Sequence, residues 1–319
     1  RYEDRLQFPI HDPTHFHDDS SCYARPDTIR HRRSGVAADS PTMLSHGVTH
    51  NMARLNPPPN GFDLSGRGAI VTGGGTHLGK AMARALATHG ARVCIAGRRP
   101  EILADAVTEF NADGLDVTSR VLDTTDAKQV DHMVDETAAE LGGLSIMVCN
   151  AGASAEAQFP PDQPIQTFLD TLNSHLVGTF SCAQAAARSM RGAQIGGSII
   201  TISSMQGSVA SDPRFYEGLG MTYRSGPAYQ SAKAGIIGLT RNLAAELGPL
   251  RIRANCISPG FIPKDTANPD FVERGRNGNP LGVIGKPDDL AGAVLLLASD
   301  AGRFITGHNL IVDGGWSIW

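Results

Sequence analysis

From about residue 62 the chain becomes regular. Short runs of β-branched and small apolar residues recur: AIVTG at 69–73, RVCIAG at 92–97, SRVLD at 119–123, IMVCN at 146–150, SIITIS at 198–203, IRANCIS at 252–258 and NLIVD at 309–313. Between most of them lie Ala/Leu-rich stretches of helical length, such as KAMARALATHG and AGAVLLLASD. A near-continuous apolar run suits a strand buried on both faces, and strands alternating with helices build βαβ units. The pattern predicts an α/β fold: a doubly wound, seven-stranded parallel sheet with helices on both faces. It forms one domain over residues 61–319, large enough to carry every site the chain needs.

Residues 1–60 read differently. They are polar and His-rich, contain Pro-Pro-Pro at 57–59, and show neither helical nor strand periodicity. Their acids and arginines balance, and they lack the apolar core of a secretory signal. The expectation is a disordered extension with too little apolar surface to offset its ordering entropy. His11, His15 and His17 stand with Asp12, Asp18 and Asp19, which is metal-ligand chemistry, but a His-rich tail needs no site to explain it. No metal is expected in the folded domain.

Composition narrows the class further. The 319 residues are 41% apolar and 19% charged with a net charge of −4, so nothing draws the whole chain to nucleic acid or an anionic membrane. Five cysteines, Cys22, Cys94, Cys149, Cys182 and Cys256, lack CxxC spacing, and four sit in apolar segments. That usage predicts reduced, buried thiols and a cytoplasmic protein.

The first strand runs into TGGGTHLG at 72–79, then a helix beginning near Leu78. Gly73 permits a tight turn and Gly79 close packing of helix on sheet. The helix N-terminus then offers N–H groups and positive dipole to a pyrophosphate. This turn, with Thr76, His77 and Leu78 between those glycines, is the candidate dinucleotide phosphate site. The second strand ends where such a fold meets the adenosine ribose. An acid there would select NAD, but IAGRR places Gly97, then Arg98 and Arg99. Guanidinium groups suit a phosphate dianion, which favours NADP(H), with Arg98 the principal contact and NAD(H) the alternative.

Of the three tyrosines in YEGLGMTYRSGPAYQSAK (216–233), Tyr229 has Lys233 at i+4, while Tyr216 and Tyr223 have Gly220 and Pro227 there. Residues four apart share a helix face. A neighbouring ammonium favours the phenolate and brings Tyr229 toward the pH at which it both donates and accepts a proton.

In their order and context these motifs resemble the short-chain dehydrogenase/reductase family over residues 62–319. The resemblance implies a Rossmann fold and an oxidoreductase that interconverts an alcohol and a ketone or aldehyde. Tyr229 and Lys233 would be the catalytic pair, both also touching the cofactor. Ser204 in ISSMQG (202–207) aligns with the family's catalytic serine, and His175 in HLVG (175–178) takes the place of its asparagine. Asp123 would contact adenine. Asn150, Ala151 and Gly152 in CNAG (149–152) resemble the family's NNAG, and Pro259, Gly260 and Ile262 would line the nicotinamide side. His77 stands where the family usually has its middle glycine. By the same resemblance the protein is a homotetramer or dimer.

Two polar loops, SVASDPRFYEGLGMTYRSGP (208–227) and FIPKDTANPDFVERGRNGNP (261–280), are read as the substrate walls, with Tyr216 and Tyr223 on a substrate-facing lid. Their charges (Arg214, Glu217, Arg224, Lys264, Arg274 and Arg276) point to a sugar-like or sugar-acid substrate. The alternatives are a 3-oxoacyl-thioester reductase and a non-catalytic dinucleotide-binding regulator.

Overall fold

Each β-branched run becomes one strand of a single sheet. The computed structural model describes residues 61–153, 160–220 and 225–319. The N-terminal extension with its histidines and Cys22 lies outside these residues, as do Tyr223 and Arg224. The strands are β1 (Gly68–Thr72), β2 (Arg92–Gly97), β3 (Val117–Val121), β4 (Ile146–Cys149), β5 (Gly197–Ile202), β6 (Ile252–Pro259) and β7 (Asn309–Val312). They lie in the order β3-β2-β1-β4-β5-β6-β7, and every neighbouring pair is parallel.

Burial on both faces explains why the strands read as unbroken apolar runs. Val71, Ile95 and Ile200 point to one side, where α1 (His77–Thr88), α2 (Pro100–Ala112) and α8 (Ala291–Ala298) cover them with Met82, Leu86, Phe110, Val294 and Leu297. Ile70, Met147 and Ile199 point to the other, under α3 (Ala127–Leu141), α5 (Gly178–Ala193) and α6 (Pro227–Leu247) with Met133, Val134, Met190 and Leu243. Each fully buried side chain of this size contributes about 2 kcal/mol. Two further helices, α4 (Ile165–Leu172) and α7 (Pro269–Asn277), lie beyond β4 and β6. Cys94, Cys149, Cys182 and Cys256 are free and buried, as expected. No helix among the described residues is long and apolar enough to cross a membrane.

Two strand ends differ from the sequence reading, each for a local reason. β1 stops at Thr72 because Gly73 turns left-handed (φ 66°), its N–H donating to Ala96 O. β3 stops at Val121, so Asp123 stands beyond its end. There the Asp123 carboxylate accepts from the N–H and hydroxyl of Thr125 and bends the chain away. The connections from β1 and β4 leave in opposite directions along the sheet. A crevice therefore opens at their C-terminal ends, the place where open α/β sheets bind ligands.

Candidate active site

The glycine-rich turn is laced to the end of β4. Thr72 Oγ1 accepts from Asn150 N and Ala151 N, both at 3.0 Å, and donates to Val148 O. Asn150 Nδ2 donates to Thr72 O at 3.0 Å and to Gly73 O at 3.3 Å. Gly79 packs so closely that a Cβ there would lie 2.1 Å from Gly73 O. α1 opens with Thr76 as N-cap, no side chain capping its first turn and no acid within it. Bare glycine backbone, uncapped N–H groups and the absence of a repelling carboxylate fit a pyrophosphate. Thr72 was not among the sequence candidates. Its signal was a lone hydroxyl at the end of an otherwise apolar strand.

The other cofactor candidates stand at neighbouring strand ends. Gly97 closes β2, and Arg98 and Arg99 follow, exposed, with Arg99 as N-cap of α2. The Asp123 carboxyl is held below its usual range by its two Thr125 hydrogen bonds and by the charge of Arg98. Ala151 and Gly152 follow β4, while Pro259 closes β6 and Gly260 and Ile262 follow it. Gly260 lies against Asp313, with no room for a side chain.

Tyr229 and Lys233 share one face of the first turns of α6, which Pro227 initiates. Lys233 is 6% exposed, and its ammonium donates to Ile202 O at 2.9 Å and sits 5.5 Å from the centre of the Tyr229 ring. Burial pushes its pKa down to about 8. β5 is fastened to α6 at this point, because Ser203 Oγ donates to Lys233 O at 2.6 Å. That bond makes Ser203 structural. Ser204, next along, caps the following turn: its oxygen accepts from Gln206 N at 3.2 Å, which leaves its hydrogen for a ligand oxygen.

His175 comes inward on a π-helical turn, Asn173–Val177, between α4 and α5. The extra residue per turn aims both Ser174 and His175 at Ala153. Ser174 Oγ accepts from Ala153 N and His175 Nε2 donates to Ala153 O, both at 2.8 Å. The acceptor fixes the tautomer, so Nδ1 is an unprotonated acceptor, buried and without a partner among the described residues. Burial first, and then the Lys233 charge, lowers the imidazole to a pKa of about 4, so it is neutral at physiological pH. Its ring meets Tyr229 edge-on at 5.3 Å. The π-turn and Ser174 were missed, since nothing in SHLV marks an inserted residue.

The substrate side corrects the sequence expectation. Tyr216 is 8% exposed and packs inward, its hydroxyl accepting from Ser211 Oγ at 3.3 Å. Beside it Phe215 stands edge-on to Phe261, Phe271 and Trp316 at 5.2–5.8 Å. Three of the charges read as substrate contacts have local partners. Arg214 pairs with Asp212, Arg276 with Glu273, and Arg274 donates to Phe215 O at 2.9 Å. The insertion thus docks on α7 through aromatic edges and one guanidinium. Phe215→Ala should free residues 208–220 from α7. Limited proteolysis should then cut there at least several-fold faster, and unchanged cutting would show that the aromatic cluster does not hold the insertion.

A family model described as enoyl-(acyl carrier protein) reductase matches residues 75–317. The chain is 35% identical to L-rhamnose 1-dehydrogenase (NAD(P)(+)) of Azotobacter vinelandii over 77% of this chain and 94% of that one. It is also 35% identical to a 3alpha-hydroxysteroid dehydrogenase of Mediterraneibacter gnavus, over 79% and 97%. Among solved structures, a gluconate 5-dehydrogenase from Burkholderia cenocepacia, in complex with NADP and tartrate, superposes with a TM-score of 0.72 at 31% identity, over 81% of this chain and 98% of that one.

Proposed function

Because the chain belongs to the short-chain dehydrogenase/reductase family, we propose that it is an NADP(H)-dependent oxidoreductase that interconverts an alcohol and a ketone or aldehyde on a polar, sugar-like or sugar-acid substrate. The observation that carries this reading is the buried Lys233 ammonium set 5.5 Å from the Tyr229 ring on one face of α6.

Residues 73–79 would hold the pyrophosphate, Arg98 with Arg99 the 2′-phosphate, Asp123 the adenine, and residues 150–152 with Pro259, Gly260 and Ile262 the nicotinamide half. Bound there, the nicotinamide supplies or accepts the hydride. The protein's own groups manage the oxygen. Tyr229 moves a proton on or off it, and Ser204 donates a hydrogen bond that favours the developing alkoxide. Lys233 stabilises the phenolate across the short separation. His175 takes the place of the family's asparagine, whose role is to hold a water in the proton relay behind Lys233.

L-rhamnose and gluconate dehydrogenases among the relatives support the substrate class, beside a hydroxysteroid dehydrogenase at the same identity as the first. Turnover of NADPH with ketoses and keto-sugar acids tests it. Faster turnover with acetoacetyl thioesters or steroid ketones would replace the substrate class, and tight NADPH binding without turnover on any of them would make the chain a regulator. A homotetramer or dimer is part of the same reading. It is supported by exposed Ile165 and Leu169, one turn apart on α4, and Val177 and Phe180 close by.

Cofactor choice has its own test. Arg98→Asp replaces a phosphate partner with a repelling carboxylate. The NADPH-over-NADH ratio of kcat/KM should fall by at least about tenfold, on the order of 1.4 kcal/mol. An unchanged ratio would remove Arg98 from the site.

A further inference from the structure

We propose that His77 is a clasp across the mouth of the crevice: from the glycine-rich turn it holds the loop that follows β6 and slows release of the dinucleotide. The proposal rests on the reading that this crevice binds a dinucleotide, and it gives the imidazole a role other than touching phosphate.

Two observations carry it. His77 has φ 47°, the left-handed region that residues with a Cβ enter at a cost and glycine enters freely. The side chain retained at this unfavourable position reaches across the crevice, its Nε2 lying 3.4 Å from Pro263 O. The carbonyl can only accept, so the imidazole donates. Both residues are half-buried.

The span gives the contact its meaning. His77 follows β1 and Pro263 follows β6, and β4 and β5 lie between those strands in the sheet. Three strand spacings are roughly 14 Å. The turn and the loop therefore bow toward each other over the crevice and meet at this hydrogen bond. The loop is anchored at its ends, by Phe261 packed on Phe215, Phe271 and Trp316 and by Asn268 capping α7, while between Ile262 and Ala267 its internal tie is Ala267 N donating to Lys264 O. A ligand lying along the strand ends, between residues 73–79 and Ile262, cannot leave until the two walls part. Opening of such a closure commonly sets the release step.

The test uses His77→Gly, which removes the side chain and suits the backbone, and His77→Asn, which tolerates the left-handed region but is too short to reach Pro263. Hydrogen exchange is read first on the protein without dinucleotide. The amide of Ala267, which donates to Lys264 O inside the loop, should exchange several-fold faster in both variants. NADPH release, followed by stopped-flow fluorescence, should then be about tenfold faster in both. Unchanged exchange in the ligand-free protein overturns the clasp, whatever happens to release, because a phosphate contact by His77 would leave that loop unaffected. Faster exchange with unchanged release overturns its role in retention. Failure of the wild-type chain to bind any dinucleotide would instead overturn the functional reading, with the exchange result still deciding whether the clasp exists.

Discussion

Tyr229→Phe will fall in turnover by roughly 10²- to 10⁴-fold, the usual range for removal of a positioned acid–base group, and will bind NADPH almost as tightly as the parent. The substitution deletes one oxygen and keeps the ring. The ring is what Lys233 faces at 5.5 Å and what His175 meets edge-on at 5.3 Å, so the packing of the site survives. Lys233 also keeps its bond to Ile202 O and therefore its position. What disappears is the proton at the substrate oxygen. The effect should appear in kcat, with the NADPH dissociation constant changed less than about threefold. Stopped-flow hydride transfer with the best ketone of the substrate panel measures it. Parent-like turnover in this variant would mean that another group handles the proton, and the assignment of Tyr229 would fall.

The second large effect is expected at a residue with no side chain. A Cβ on Gly79 would lie 2.1 Å from Gly73 O and 2.6 Å from Asn150 Nδ2. The first of these atoms is backbone, so no rotamer change relieves the clash. Either the turn or α1 must move, and the turn is also tied to Thr72 and Asn150. Gly79→Ala should lose about 1–3 kcal/mol of stability, a fall of several degrees in Tm for a domain of this size. Its dinucleotide affinity should drop by more than tenfold as the N–H groups lose their aim. Gly75→Ala is the control for stability: its nearest neighbours would be Ile102 and Leu103 side-chain atoms at 3.3 and 3.4 Å, which can give way. An equal fall in Tm in the two variants would refute the close-packing argument.

What could be read from the sequence followed from periodicities the chain cannot disguise. Strands buried on both faces must be apolar throughout, so Ile70 and Val71 announce β1 although they face opposite cores. Tyr229 and Lys233 are found because i+4 has a fixed meaning on a helix. Gly73 and Gly79 are found because a tight turn and a close approach both exclude side chains. The rest depended on contacts between distant residues. No spacing rule joins Phe215 to Phe261, Phe271 and Trp316, so the sequence shows the loops by their charges, three of which serve Asp212, Glu273 and a backbone carbonyl. Thr72 binds two amides from β4 that only the sheet order brings beside it. The tautomer of His175 could not be read at all, because a carbonyl 22 residues earlier decides it.

The contact between His175 and Gly152 also constrains how this chain can change. A Cβ at position 152 would lie 2.2 Å from His175 Nδ1, so while the imidazole occupies that space every side chain at 152 is excluded. Trim the ring first, and the same substitution at 152 meets an opening. The two positions are therefore non-additive: Gly152→Ala costs more with the imidazole in place than after it is trimmed, and their combined effect will not equal the sum of the two alone.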